Sequence, residues 1–262
     1  MRRFTARFAP VALLVLAMVG ANAAPVTATN SWNGYHWART ANPFTLQLGD
    51  NMTTADWKSH LAQTSSDWSK ATVLDTVVVA GSSTKKRCGG LDGTVQVCNG
   101  SYGNNGWLGI AQIWLSGSHI TQGVVKVNDW YFAYPSYNNK NEKEHVVCQE
   151  VGHTLGLDHQ DTSGASLNTC MDYYHNTSDS DTKSTTPNQH DYDELGIIYA
   201  HLDGTTTVKA VAVAGAPAGA DGEDDGDGTP PGASPERGRV YVQDLGGGRY
   251  LVTHVYWADA RH

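Results

Sequence analysis

Residues 145–159 have the sequence HVVCQEVGHTLGLDH, which combines helical spacing with side chains that bind metals. Gln149 and His153 are four residues apart, so they lie one turn apart on the same face of a helix. Gly156 can adopt the left-handed conformation in which helices commonly end. The chain can then turn back, so that His159 approaches the same point. The segment therefore predicts a helix that ends near Gly156 and a cluster of three potential metal ligands.

The predicted cluster has the composition of a catalytic metal site. We expect Gln149, His153 and His159 to hold one Zn²⁺ ion and to leave a fourth position for water. Bound zinc acidifies such a water, and Glu150 is placed to accept its proton as the general base. Gln149 is the exception to this pattern, because a neutral amide oxygen is a weaker zinc ligand than an imidazole. Either Gln149 is the third ligand of an unusual site, or the site is weakened or inactive.

The segment resembles the HExxHxxGxxH motif of the metzincin metallopeptidases, with Gln149 in place of the first histidine. Downstream, residues 170–173 (CMDY) are similar to the Met-turn that lies beneath the metal in that family. The resemblance implies an α+β fold with a mixed twisted sheet, an active-site helix, a Met-turn and a C-terminal helix. It also implies that Tyr173 contacts the metal or the oxyanion. The alternative for Tyr173 is an ordinary core or surface tyrosine.

The resemblance extends beyond the metal-binding segment. Residues 107–115 are similar to the edge strand that pairs with extended substrates in metzincins, and residues 188–195 to the start of their C-terminal helix. The likeness covers roughly residues 31–205, and we expect a catalytic domain over residues 24–205. It implies that the partner is an extended peptide or protein substrate.

Other elements follow from local sequence patterns. The β-branched run at residues 73–79 predicts a buried central strand, and the Gly-, Ser- and Asn-rich residues 81–106 predict a long loop. The remaining predicted elements are strands over residues 43–48, 108–115 and 123–128, and helices over residues 53–70, 141–156 and 187–202.

The N-terminus predicts export. Residues 1–23 combine three arginines near the start, a short apolar run over residues 11–19 and small residues at Ala21 and Ala23. This is the pattern of a cleaved signal peptide, and the apolar run is shorter than the ~20 residues of a spanning helix. An uncleaved anchor is the alternative. We expect a secreted monomer that has no membrane attachment after cleavage.

Export implies that the four cysteines form disulfides. Three pairings are possible. Cys88–Cys98 would close a Gly-rich loop, and Cys148–Cys170 would join the predicted active-site helix to the Met-turn. A structural zinc site is the alternative, but the sequence contains no CxxC pair.

The C-terminal part of the chain differs in composition. Residues 206–238 are rich in glycine, proline and acidic residues, which predicts a solvated linker. Residues 239–262 contain two alternating apolar runs around three consecutive glycines, which predicts a β-hairpin. The hairpin either docks on the main domain or binds something else.

These features favour a secreted zinc-dependent endopeptidase. The runner-up is a catalytically silent metzincin-like module with a weakened metal site, whose edge strand binds peptides. A third possibility is a carbohydrate-binding protein, suggested by 8 Trp and 12 Tyr, although aromatic residues usually belong to the core. The net charge of −8 argues against nucleic-acid binding.

Overall fold

The computed structural model of the protein describes residues 29–83, 88–210, 228–235 and 238–259. The predicted signal peptide lies outside these ranges, as do residues 211–227 of the predicted linker. None of the helices within these ranges is long and apolar enough to span a bilayer.

The structure is an α+β fold built on one mixed sheet, as predicted. Its strands are β1 (His36–Trp37), β2 (Phe44–Asn51), β3 (Leu74–Ala80), β4 (Thr94–Gly100), β5 (Trp107–Ser116), β6 (His119–Asn128), β7 (Val240–Gly246) and β8 (Arg249–Trp257). Its helices are α1 (Ala55–Trp68), α2 (Asp129–Phe132), α3 (Lys140–Thr154) and α4 (Gln189–Ile198).

The strands follow the order β3-β2-β4-β6-β5-β8-β7, and the short β1 pairs with the start of β6. The pairs among β2, β3, β4 and β6 are parallel. The pairs that involve β5, β7 and β8 are antiparallel. The sheet is therefore mixed, as the resemblance to metzincins implied.

One strand prediction and one loop prediction were wrong. Residues 73–79 do not form a central strand, because β3 lies at one end of the sheet and its residues Asp75, Val78 and Ala80 are exposed. The segment predicted to be a loop, residues 81–106, contains an interior strand of the sheet, β4, which is buried along its whole length. The glycine- and asparagine-rich residues on either side of β4 had indicated a loop. β4 is buried because it pairs with β2 on one side and β6 on the other.

The helix predictions near the motif were confirmed. The Asn139 side chain caps α3 by accepting a hydrogen bond from the Glu142 amide, and Gly156 adopts a φ of 99° just beyond the helix. Thr54 caps α1. The last helix, α4, ends at Ile198, four residues before the predicted boundary.

The predicted C-terminal hairpin is present and extends the main sheet. β8 pairs with β5 along nearly its whole length, with His254 opposite Ala111 and Leu251 opposite Trp114. The prediction that residues 107–115 form a free edge for substrate is therefore wrong. β5 has β6 on one side and β8 on the other.

The turn that contains Met171 packs directly beneath α3. A disulfide joins Cys148 on the helix to Cys170 on the turn, and a second joins Cys88 to Cys98, as expected. At Gly152, a Cβ atom would lie 2.5 Å from the Met171 sulfur and 2.6 Å from the Trp68 ring. Only a glycine lets the helix, the turn and α1 approach this closely.

We expect Gly152→Ala to destabilise the protein by about 1–3 kcal/mol, because the added methyl overpacks this contact. The control is Gly196→Ala on α4, where no atom lies within 4 Å of the new Cβ. That variant should stabilise α4 by up to about 1 kcal/mol through its higher helix propensity. Urea unfolding checks both, and equal effects of the two substitutions would contradict the packing argument.

Candidate metal centre

The first two histidines of the centre come from α3 and the turn that follows it. Nδ1 of His153 lies 2.8 Å from the carbonyl oxygen of Leu157. A carbonyl only accepts hydrogen bonds, so Nδ1 carries the proton and Nε2 keeps its lone pair for a metal. The turn at Gly156 then brings the His159 ring to 4.6 Å from the His153 ring. The predicted convergence of these two side chains is thus present.

A third imidazole reaches the centre from the C-terminal hairpin. The His254 ring on β8 stacks on the His153 ring at 3.7 Å, with an interplanar angle of 2°. The ligand nitrogens of His153, His159 and His254 all lie within 4.8 Å of one another. His254 was not predicted to be a metal ligand, because its only signal in the sequence is an imidazole within the apolar run of a predicted strand.

Several polar atoms at the centre are buried without a hydrogen bond. Among the residues that the structure describes, they are Nε2 of His159, both ring nitrogens of His254 and both carboxylate oxygens of Glu150. Buried polar groups in proteins are nearly always paired. Nε2 of His254 has a longer contact, 3.4 Å from Oδ1 of Asp158. Nitrogens without hydrogen bonds that converge within 4.8 Å are what a bound cation would satisfy. These donor types fit a metal ion, and one of the two stacked rings, His153 or His254, must turn for both in-plane lone pairs to point at the same ion.

Burial sets the charge state of these side chains. It lowers the pKa of His153 to about 3, with a further contribution from the neighbouring His159. It also lowers the pKa of His159 and, more strongly, that of His254. The three imidazoles are therefore neutral near pH 7, which is the form that binds metals. Burial raises the pKa of Glu150 well above its usual range, because water is excluded from its carboxylate.

Gln149, the third predicted ligand, holds α3 to the turn through its amide nitrogen. Nε2 donates to the carbonyl oxygens of Cys170 at 2.8 Å and Asp172 at 2.6 Å. Both amide hydrogens are used in this way, so Oε1 is the atom left to bind anything else. Oε1 is buried and has no hydrogen bond within the described part of the chain. Metal binding by Gln149 remains a prediction.

Tyr173, the other predicted catalytic residue, contacts the hairpin. Its hydroxyl oxygen accepts a hydrogen bond from the backbone N–H of Trp257 at 2.5 Å. The Arg239 guanidinium lies 3.8 Å from the centre of its ring. Burial raises the pKa of Tyr173 to about 12, although Arg239 opposes the shift. In the described arrangement the phenol is thus engaged by the end of β8.

The whole centre is closed to solvent. His153 and His254 are each 1% exposed and Glu150 is 0% exposed. Trp32 contributes to the enclosure, with its ring 4.2 Å from the His254 ring. A substrate reaches these residues only if part of this cover moves.

Comparison with known proteins identifies weak structural likenesses. No family model matches the sequence, and no curated protein matches it significantly. Two solved structures of myroilysin are similar to the chain at 12% identity, with TM-scores of 0.38 and 0.36. The likenesses cover 65% and 63% of this chain and 98% and 86% of those chains. Similarity at this level says nothing about activity or site residues.

We expect Gln149→Ala to lower the free energy of unfolding by about 1–3 kcal/mol, because two buried carbonyls of the turn lose their donor. The control is Gln189→Ala on α4, where the amide bonds an exposed Asp193. That substitution should change stability by less than about 0.5 kcal/mol. Urea unfolding of the metal-free proteins makes the comparison. Equal stability of Gln149→Ala and the parent protein would show that the amide does not hold the turn.

Proposed function

We propose that the protein is a zinc-dependent peptidase whose metal centre is closed by its own C-terminal hairpin. One observation carries the proposal: the ligand nitrogens of His153, His159 and His254 converge, and α3 carries the buried Glu150 carboxylate, which has no hydrogen bond, one turn before His153. Imidazole nitrogens suit Zn²⁺ better than Ca²⁺ or Mg²⁺. The two disulfides support a protein that works outside the cell, in an oxidising compartment.

In the proposed peptide hydrolysis, the zinc ion and Glu150 would have different roles. Bound zinc would polarise a peptide carbonyl and acidify a water molecule. Glu150 follows Gln149 and precedes His153 on α3, and Gly109 on β5 leaves room for its side chain. A Cβ at Gly109 would lie 2.7 Å from the Glu150 carboxylate. In the opened, zinc-loaded site, the Glu150 carboxylate would accept a proton from the attacking water and pass it to the leaving amine.

The hairpin accounts for the closed state. β8 pairs with β5 through backbone hydrogen bonds, as an extended peptide does when it adds a strand to a sheet edge. We propose that β8 occupies the substrate position and that His254 occupies the ligand position that a working site leaves open. When the hairpin is displaced, His153, His159 and Oε1 of Gln149 would remain as the ligands. The Tyr173 hydroxyl would also be released from Trp257 and become available to the oxyanion.

A catalytically silent metal-binding module is the second candidate function. The closure of the centre supports it, since Glu150 is fully buried and both edges of β5 are paired. In that case zinc would serve to join α3 to the hairpin and no peptide would be hydrolysed.

Activity after opening of the hairpin separates these functions. We would insert a site for a sequence-specific protease within residues 211–227, cleave it, separate the released hairpin from the rest of the chain, and measure casein turnover with zinc and with a chelator. The peptidase proposal expects zinc-dependent turnover that rises after cleavage. Glu150→Gln should lower turnover by about 10²-fold or more, because the general base is lost, while zinc remains bound. The control is Asp193→Asn on the exposed face of α4.

Two results would contradict the peptidase proposal. One is turnover that persists in the chelated protein. The other is the absence of turnover in the cleaved, zinc-loaded protein, which would favour the silent module.

His254 has a separate test in the intact chain. We expect His254→Ala to weaken zinc binding at this centre by at least about 10-fold, because one of three imidazole ligands is lost. The control is Thr253→Ala, the preceding residue on β8, whose hydroxyl bonds Gln112. Isothermal titration near pH 7 measures both affinities. Equal zinc affinity of His254→Ala and Thr253→Ala would show that the hairpin does not contribute a ligand.

A further inference from the structure

A second group of histidines surrounds a carboxylate away from the first centre. It consists of His36 on β1, His119 at the start of β6, and His201 and Asp203, which follow α4. We refer to these four residues as the His36 cluster. They come from three segments that are far apart in the sequence, so only the folded chain brings them together.

The distances within the His36 cluster match those around a tetrahedral zinc ion. Nε2 of His36 lies 3.2 Å from Nε2 of His201. Each of these nitrogens lies 3.6 Å from Oδ1 of Asp203. Zinc bonds of about 2.0–2.1 Å in tetrahedral geometry place neighbouring ligand atoms about 3.3–3.4 Å apart. Three donor atoms therefore already form one face of such a site.

His119 is placed to supply the fourth ligand. Its Nε2 lies 3.3 Å from the same Oδ1 atom of Asp203, and its side chain is 36% exposed. A partly exposed imidazole can reorient at little cost. If His119 does not bind, water can take the fourth position.

Contacts outside the cluster orient two of its ligands. Nδ1 of His36 lies 2.7 Å from the carbonyl oxygen of Gly34 and must donate to it, which leaves the Nε2 lone pair toward the cluster. Oδ2 of Asp203 accepts hydrogen bonds from the Arg39 guanidinium at 2.8 Å and the Arg39 amide at 3.2 Å. Oδ1 is thereby left for the histidines. Outer contacts of this kind hold the ligands of natural zinc sites in place.

We propose that the His36 cluster is a structural zinc site. Its set of imidazoles and one carboxylate suits Zn²⁺, whereas Ca²⁺ and Mg²⁺ prefer oxygen ligands. The His201 side chain is 52% exposed, so an ion can enter from solvent. The competing explanation is a cluster of His–Asp ion pairs that forms when the histidines are protonated and binds no metal.

The site would brace the end of α3 that carries His153. The residue after His36 is Trp37, whose indole N–H donates to the carbonyl oxygen of Thr154 at 2.9 Å. Tyr199, two residues before His201, donates its hydroxyl to the carbonyl oxygen of Leu155 at 2.9 Å. A metal bound by His36 and His201 would therefore fix two segments that both bond to the last turn of α3.

Counting zinc in variants of the full chain tests the proposal. Proteins are dialysed against zinc and then against buffer, and zinc per chain is measured by mass spectrometry. We expect two zinc ions in the parent protein and one in either His201→Ala or Asp203→Asn. The control is Leu202→Ala, an exposed residue between the two ligands, which should retain two. Zinc should also raise the melting temperature less in His201→Ala than in Leu202→Ala.

The outcomes distinguish this site from the first centre. If the parent binds one zinc and His201→Ala binds none, the His36 cluster is a metal site and the first centre is not. If His201→Ala and Asp203→Asn bind as much zinc as the parent, and zinc stabilises them equally, the proposal is overturned.

Discussion

The burial of α3 is the constraint on which the site depends. Twelve of its 15 residues are buried, and several of these are polar or charged. Removing such groups from water is costly unless they find partners inside the protein. Most of them do: Gln149 bonds the turn at Cys170 and Asp172, and His153 bonds Leu157. The groups left without partners in the described structure, the Glu150 carboxylate foremost, mark the place where a ligand would satisfy them.

The topology of the hairpin links this helix to the other end of the chain. The pairing of β8 with β5 places His254 against α3, although about a hundred residues separate it from His153. The same pairing covers β5 and engages Tyr173 through Trp257. One set of backbone hydrogen bonds therefore brings a third imidazole to the centre and covers the second edge of β5. In the proposed function, closure and metal binding would be coupled, because both would depend on this strand pair.

Much of the fold near the motif could be predicted because the signals there are local. The left-handed Gly156 and the return of His159 both follow from short-range spacing. The Cys148–Cys170 disulfide could be predicted because Cys148 lies in the predicted active-site helix and Cys170 directly precedes Met171 of the predicted Met-turn. The contribution of His254 could not be predicted, because it depends on which strand the hairpin joins. β4 was missed for a related reason, since its burial comes from β2 and β6 on either side.

Anomalous diffraction from zinc-soaked crystals of the full chain would test the linkage between α3 and β8 directly. We expect an anomalous peak at about 2.0–2.1 Å from one ring nitrogen each of His153, His159 and His254, as for zinc held by imidazoles. The carboxylate of Glu150 should lie beside the ion without binding it. An anomalous peak within bonding distance of His153 and His159 alone, with the His254 ring turned away, would contradict a metal centre that is completed by β8.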